Sequence, residues 1–127
     1  MESANERVQD ILELKKQYTV LEAQLWLYLV NMKKVCPEQE MKTIIYFYTN
    51  NPGECIQCRA QGKLLKDTAK DLNGNTWVFS FEYNIDLDII NAVKKQFNVT
   101  KVPTTIIDET TILEGVQKKE TFEQYLK

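Results

Sequence analysis

Hydrophobic positions change their spacing sharply along this chain. From Asn5 to Val35 they fall at Ile11, Leu14, Tyr18, Leu21, Leu25, Tyr28, Met32 and Val35, a three-four alternation with no glycine or proline inside it. That spacing predicts one long helix carrying a coiled-coil-like stripe. Its second half adds Val20, Trp26, Leu27, Leu29 and Val30, so this part is apolar nearly all round and needs cover on more than one side. Pro37 ends the helix. The stripe has three outlets: packing on its own domain, a seam with a second copy in a homodimer, or a spacer after a lost anchor. The stretch Leu25 to Val30 is expected to pack on the rest of the chain, leaving Ile11, Leu14, Tyr18 and Leu21 for a second copy or a tether.

Beyond residue 40 the pattern shortens. The isoleucines and aromatics of Thr43 to Thr49 predict a buried strand, Asn50-Asn51-Pro52-Gly53 a loop, and Gln57 to Leu72 a helix with Leu64, Leu65, Ala69 and Leu72 inward. Asn73-Gly74-Asn75 turns the chain into a second strand, Thr76 to Tyr83. Then follow a helix from Leu87 to Phe97, a hairpin of Thr104 to Asp108 and Ile112 to Gly115 turned at Glu109-Thr110, and a closing helix from Lys119 to Leu126. The order after the first helix is β-α-β-α-β-β-α. A β-α-β unit makes a right-handed crossover between parallel strands, and the hairpin adds two antiparallel ones. The expected fold class is therefore α/β, a four-stranded mixed sheet with helices on both faces, preceded by the long helix. Residues 1–40 form the helix and linker, and 41–127 the main unit, which is complete without the helix.

Composition narrows the chemistry. The 127 residues, 43% of them hydrophobic, suit one core plus an appendage, against a usual domain length of about 100–150 residues. Sixteen basic and eighteen acidic side chains leave a formal net charge of −2, without the basic footprint that nucleic acid or an anionic membrane needs. The longest apolar run falls far short of the roughly 20 residues that span a bilayer, so no membrane span is expected in this chain, which reads as soluble. No signal peptide is visible, yet a leader or anchor removed earlier would leave the same sequence. The compartment is then either that of the extracytoplasmic part of a membrane-anchored protein or the cytoplasm. Asn98-Val99-Thr100 matches a glycosylation acceptor and reads as a chance match. Histidine is absent, which removes His-based acid-base catalysis and most catalytic metal sites. What remains is thiol, carboxylate or lysine chemistry.

Cys55-Ile56-Gln57-Cys58 lies where the first short strand hands over to a helix. A helix N-terminus carries partial positive charge and unpaired N–H groups that stabilise a thiolate, which makes Cys55 the candidate nucleophile. Cys58, expected one turn into the helix, is the candidate resolving thiol, able to attack the Cys55 sulfur and release a mixed disulfide. The same pair also fits a structural disulfide. A closed zinc site asks for four ligands, whereas this chain holds three cysteines and no histidine, so zinc or an iron–sulfur cluster would need two chains sharing their motifs. No metal and no cofactor is expected. Cys36 reads either as a buried packing thiol or as one that bonds a second chain or exchanges with the pair.

Three features together resemble the thioredoxin-like superfamily over residues 43–127: Cys55-Ile56-Gln57-Cys58 after the first strand, Lys101-Val102-Pro103-Thr104 opening the third, and Gly115 ending the fourth. Gln61-Gly62, Phe81-Glu82-Tyr83-Asn84 and Phe97-Asn98-Val99-Thr100 also resemble small membrane-tethered thioredoxin-like proteins of prokaryotes. The resemblance implies a thiol–disulfide oxidoreductase acting on protein substrates, with an unknown redox partner. It also implies a cis Pro103 that brings the Val102 backbone toward Cys55, so that Val102 and Pro103, with Ile56 and Gln57, hold an extended substrate segment by strand addition. An ordinary trans proline starting a strand is the plainer reading of Pro103. The alternative function is a thioredoxin-fold interaction module whose disulfide is structural.

The chain departs from the better-known branches. Thioredoxins carry Trp-Cys-Gly-Pro-Cys and a buried aspartate on the preceding strand, where this chain has Glu54 before the motif and Tyr46-Phe47-Tyr48 on the strand. Glutaredoxins carry a tyrosine in the motif and a Gly-Gly pair after the last strand, and strong oxidases a histidine between the cysteines; this chain has none of these. Arg59 favours a Cys55 thiolate and Glu54 opposes it. The redox direction is therefore open at the level of sequence.

Overall fold

The computed structural model describes residues 2–37, 40–51, 53–72 and 75–126, with backbone alone for 2–4. Pro52 of the expected loop and Asn73 and Gly74 of the expected turn lie outside the described residues. The elements are α1 (Glu2–Val35), β1 (Lys42–Tyr48), α2 (Cys58–Leu72), β2 (Thr76–Glu82), α3 (Asp88–Gln96), β3 (Thr104–Ile107), β4 (Thr111–Glu114) and α4 (Lys119–Leu126). The strands form one mixed sheet in the order β2-β1-β3-β4. β1 runs parallel to β2 with Tyr46 opposite Ser80 and Tyr48 opposite Glu82, and antiparallel to β3. β3 and β4 close the antiparallel hairpin.

β1 sits in the middle of the sheet, which is why it reads as a continuous apolar run. Its residues alternate between two cores, as strand geometry requires. Ile44 and Tyr46 face Leu65 and Ala69 of α2 and Phe122 and Leu126 of α4. Ile45 and Phe47 face the other way, toward Ile90 and Val93 of α3 and Ala23, Trp26, Leu29 and Val30 of α1. Trp26 meets Phe97 edge to face, ring centroids 6.2 Å apart. The carboxyl-terminal half of α1 therefore shares its core with the sheet.

The face of α1 that packs is not the face with the longest apolar stripe. Ile11, Leu14, Tyr18 and Leu21 are 66, 66, 64 and 63% exposed, whereas Ala23 and Trp26 are 0 and 3% exposed. Leu25, Leu27 and Tyr28 also stay exposed, so only part of the Leu25 to Val30 stretch meets the expectation that it packs on the core. Positions 19, 23, 26, 30 and 33 follow the same helical repeat as the stripe but are turned well away from it. Polar anchors flank this buried face: Lys15 pairs with Glu82, and Lys33 pairs with Asp108 and, at 3.4 Å, with Glu109.

Smaller departures have local causes. Leu72, expected inward, is exposed at the last residue of α2. The β3–β4 turn is centred one residue earlier than expected: Asp108 and Glu109 take positive φ, and the Thr110 N–H closes the turn on the Ile107 carbonyl at 3.2 Å. Asn98, at φ 54, caps α3 in the left-handed region. Its N–H donates to the Lys95 carbonyl and that of Val99 to the Lys94 carbonyl, a Schellman cap for which asparagine is suited.

Candidate functional site

The site is assembled where the carboxyl ends of β1 and β2 meet the start of α2. Thr49, just past β1, accepts hydrogen bonds at its hydroxyl from the Asn51 N–H and from Asn84 Nδ2, both at 3.2 Å. Asn51 Oδ1 accepts the Gly53 N–H at 3.0 Å, and the Asn51 carbonyl accepts the N–H groups of Glu54 and Cys55. The Glu54 carboxylate is held by Asn51 Nδ2 at 3.3 Å and Asn84 Nδ2 at 2.9 Å. Parallel pairing of β1 and β2 brings Asn84 to this loop from 35 positions further along than Thr49. Thr49, Asn51 and Asn84 were not among the expected site residues, and only the strand register could have pointed to Asn84.

Cys55 and Cys58 are joined as a disulfide, Cα atoms 5.5 Å apart. α2 begins at Cys58, one residue later than expected, so Cys58 opens the helix and does not lie a turn inside it. The two sulfurs differ in access: Cys55 is half-buried while Cys58 is 1% exposed. Behind Cys58 stands Tyr46, whose hydroxyl donates to the Cys58 carbonyl at 2.6 Å. Burial pushes the Tyr46 phenol up to about 12, so it remains a donor. Gly62 leaves room for this tyrosine, because a Cβ there would come within 3.0 Å of the ring.

Two clefts open on either side of the disulfide. One, about 490 Å3, is lined by Cys55, Ile56, Gln57, Val102, Pro103 and Val116 among others, so the site residues singled out in the sequence converge there except for Cys58. The Val102–Pro103 peptide is cis. The Gly115 N–H donates to the Pro103 carbonyl at 2.8 Å, and Gly115 sits at φ 83, a backbone angle that suits glycine. Neither the Val102 N–H nor its carbonyl has a hydrogen-bond partner among the described residues. Ile56, 85% exposed, projects beside Cys55. The second cleft, about 930 Å3, lies between α2 and the β1–β2 side of the sheet and also reaches both cysteines.

Cys36 is exposed, which overturns the reading of a buried packing thiol: it follows the last turn of α1, where its N–H still reaches the Met32 carbonyl but its side chain meets no core. Among the described residues no cluster of cysteine and carboxylate side chains is arranged to hold a metal ion, and no helix is long and apolar enough to cross a membrane.

This arrangement of sheet, helices and Cys55–Cys58 pair is a thioredoxin-like fold. It is similar to the solution structure of an uncharacterised thioredoxin-like protein from Clostridium perfringens, at 22% identity over 68% of each chain with a TM-score of 0.56. It is also similar to the structure of a malarial protein, at 17% identity over 68% of this chain and 99% of that one, TM-score 0.50. No protein-family model and no curated protein matches the chain. The fold and the close cysteine pair together point to a redox-type function.

Proposed function

We propose that the protein is a thiol–disulfide oxidoreductase acting on protein substrates, with Cys55 as the attacking and Cys58 as the resolving cysteine. The observation that carries this reading is the unequal access of the two sulfurs: the half-buried Cys55 opens onto the cleft of Val102 and Pro103, and the buried Cys58 lies behind it. In the reducing direction the Cys55 thiolate attacks one sulfur of a substrate disulfide, and the other substrate sulfur leaves as a thiolate. The Cys58 thiolate then attacks Cys55 Sγ and expels the second substrate thiolate. Two electrons pass to the substrate, and the protein is left with the Cys55–Cys58 bond, which a dithiol donor must reduce again. The unpartnered N–H and carbonyl of Val102 are suited to pair with an extended substrate backbone, while Ile56 and Gln57 border the same cleft. Insulin reduction and refolding of a scrambled disulfide protein test the reading beside Cys55→Ser. Wild-type turnover with an inactive variant is expected, and equal inactivity of the two returns the disulfide to a structural role. A Cys58→Ser variant is expected to accumulate the mixed disulfide on Cys55.

A second copy of this chain is the partner proposed for the exposed stripe of α1. The first half of α1 then serves association, while its second half, with Ala23 and Trp26 in the shared core, belongs to the fold. Charge favours an antiparallel pairing. Glu6, Asp10 and Glu13 stand against Arg7 alone in the first part of α1, and in the remainder Lys16 and Lys34, the lysines not already paired with the sheet and hairpin, stand against Glu22. Antiparallel helices lay the acidic part of one along the basic part of the other and oppose their dipoles. This geometry holds the two Cys36 thiols at opposite ends of the seam, so the dimer should carry no Cys36–Cys36 bond. Sedimentation is expected to give a dimer that Ile11→Lys with Leu21→Glu dissociates. A wild type that remains monomeric at high concentration removes the seam.

A further inference from the structure

The two clefts beside the disulfide differ in charge. The one that reaches Val102 and Pro103 is bordered by Ile56, Val116 and Glu54 and has no cation in its lining. The larger one carries Arg59, Lys63 and Lys66, three positions that the helical repeat places along one side of α2. Its floor is apolar and flat, with the Tyr46 and Tyr48 rings stacked 6.2 Å apart and 6° from parallel. One of the cations already bonds a carboxylate, and a second acts on one at longer range. Lys63 bonds Asp67 at 3.3 Å, and Lys66 acts on Glu22 of α1, whose carboxyl is pushed up by burial and drawn down by that lysine. Arg59, directly after Cys58, has no partner among the described residues.

We infer that the larger cleft is a substrate subsite for a carboxylate, taken by Arg59. The preferred substrates are then peptide segments with an acidic residue close to one of their disulfide cysteines. This deepens the oxidoreductase reading and rests on it. A guanidinium presents paired N–H groups that match a carboxylate, and charge-assisted hydrogen bonds of this kind are the stronger ones. The substrate lies across the disulfide, its apolar side toward Ile56 and Pro103 and its acidic side toward α2. Lys63, bonded to Asp67, and Lys66 add positive charge to the surroundings. A small carboxylate-bearing disulfide shares the chemistry but lacks a backbone long enough to reach Val102 at the same time.

The test compares disulfide peptides that differ only in whether Glu-Glu, Gln-Gln or Lys-Lys flanks one cysteine, with oxidised glutathione as the small disulfide and dithiothreitol as electron donor. The readout is the ratio of kcat/KM between the Glu and Gln peptides, which cancels any common effect of Arg59 on the Cys55 thiolate. An exposed charge-assisted contact predicts a ratio of about ten, the Lys peptide slowest, glutathione below the Glu peptide, and the ratio falling toward one in Arg59→Gln and at high salt. A wild-type ratio near one, or a ratio that survives Arg59→Gln, overturns the subsite; glutathione equal to the Glu peptide overturns its peptide character. If no disulfide turns over, the oxidoreductase reading fails separately. Calorimetric titration with cysteine-free Glu-Glu and Gln-Gln peptides then decides: Arg59-dependent binding of the acidic peptide alone supports the subsite, and equal or absent binding overturns it.

Discussion

The Tyr46 hydroxyl donates to the Cys58 carbonyl at 2.6 Å, tying the central strand to the residue that opens α2. This bond fixes the inner cysteine from behind, through its backbone and not its sulfur.

Alkaline pH should loosen this tie. Burial raises the Tyr46 phenol from 10.0 to about 12, so the folded state holds the proton more tightly than the unfolded chain. The associated stability is complete below pH 10 and is lost as pH rises toward 12, to a limit of roughly 2–3 kcal/mol at about 1.36 kcal/mol per unit. Tyr48 acts with the same sign, raised chiefly by burial. Tyr46→Phe should cost about 1 kcal/mol at pH 7 for the lost hydrogen bond. It should also flatten the fall in stability above pH 10 to the part due to Tyr48, as followed by denaturant unfolding at stepped pH.

Gly62→Ala tests the packing that holds Tyr46. In an open helix the change would stabilise by up to about 1 kcal/mol, but here the added methyl comes within 3.0 Å of the Tyr46 ring. The ring is stacked on Tyr48 and bonded at its hydroxyl, so it has little freedom to withdraw. A net loss of about 1–2 kcal/mol is expected from overpacking. A more stable variant in thermal unfolding would show that the ring gives way.

The two faces of α1 should respond very differently to truncation. Trp26→Ala should cost about 3–5 kcal/mol, as large core truncations do, and Trp26→Phe much less, because the indole N–H is buried without a partner among the described residues. Leu14→Ala, on the exposed stripe, should change the unfolding free energy of the monomer by less than about 0.5 kcal/mol. Urea unfolding at low protein concentration measures all three. A Trp26→Ala cost as small as that of Leu14→Ala would mean that α1 does not share the core.

Most of the fold was legible because each element announces its own period. The alternation of β1 between two cores follows from its unbroken run of isoleucines and aromatics, and the cysteine motif marks the start of α2. The orientation of α1 was not legible, because a stripe at Ile11, Leu14, Tyr18 and Leu21 says that a face is apolar but not what covers it. The face that packs is instead built from Ala23, Trp26 and Val30 and pinned by ion pairs to residues more than sixty positions away. At the site, Cys55, Ile56, Gln57, Val102 and Pro103 of the smaller cleft lie within two short motifs and could be seen in advance, whereas Val116 could not. Tyr46 behind Cys58 and Asn84 beneath Glu54 could not, since both depend on packing and strand register.

The clasp between Lys33 and the β3–β4 turn has a further consequence. Asp108 and Glu109 occupy backbone angles better suited to Asn-Gly, and they set two like charges side by side at the tip of the β3–β4 hairpin. A single lysine from α1 reaches both. Ionic strength thereby acts on how firmly α1 is fastened to the hairpin: added salt weakens the attraction that Lys33 exerts on the turn and the repulsion within the turn together.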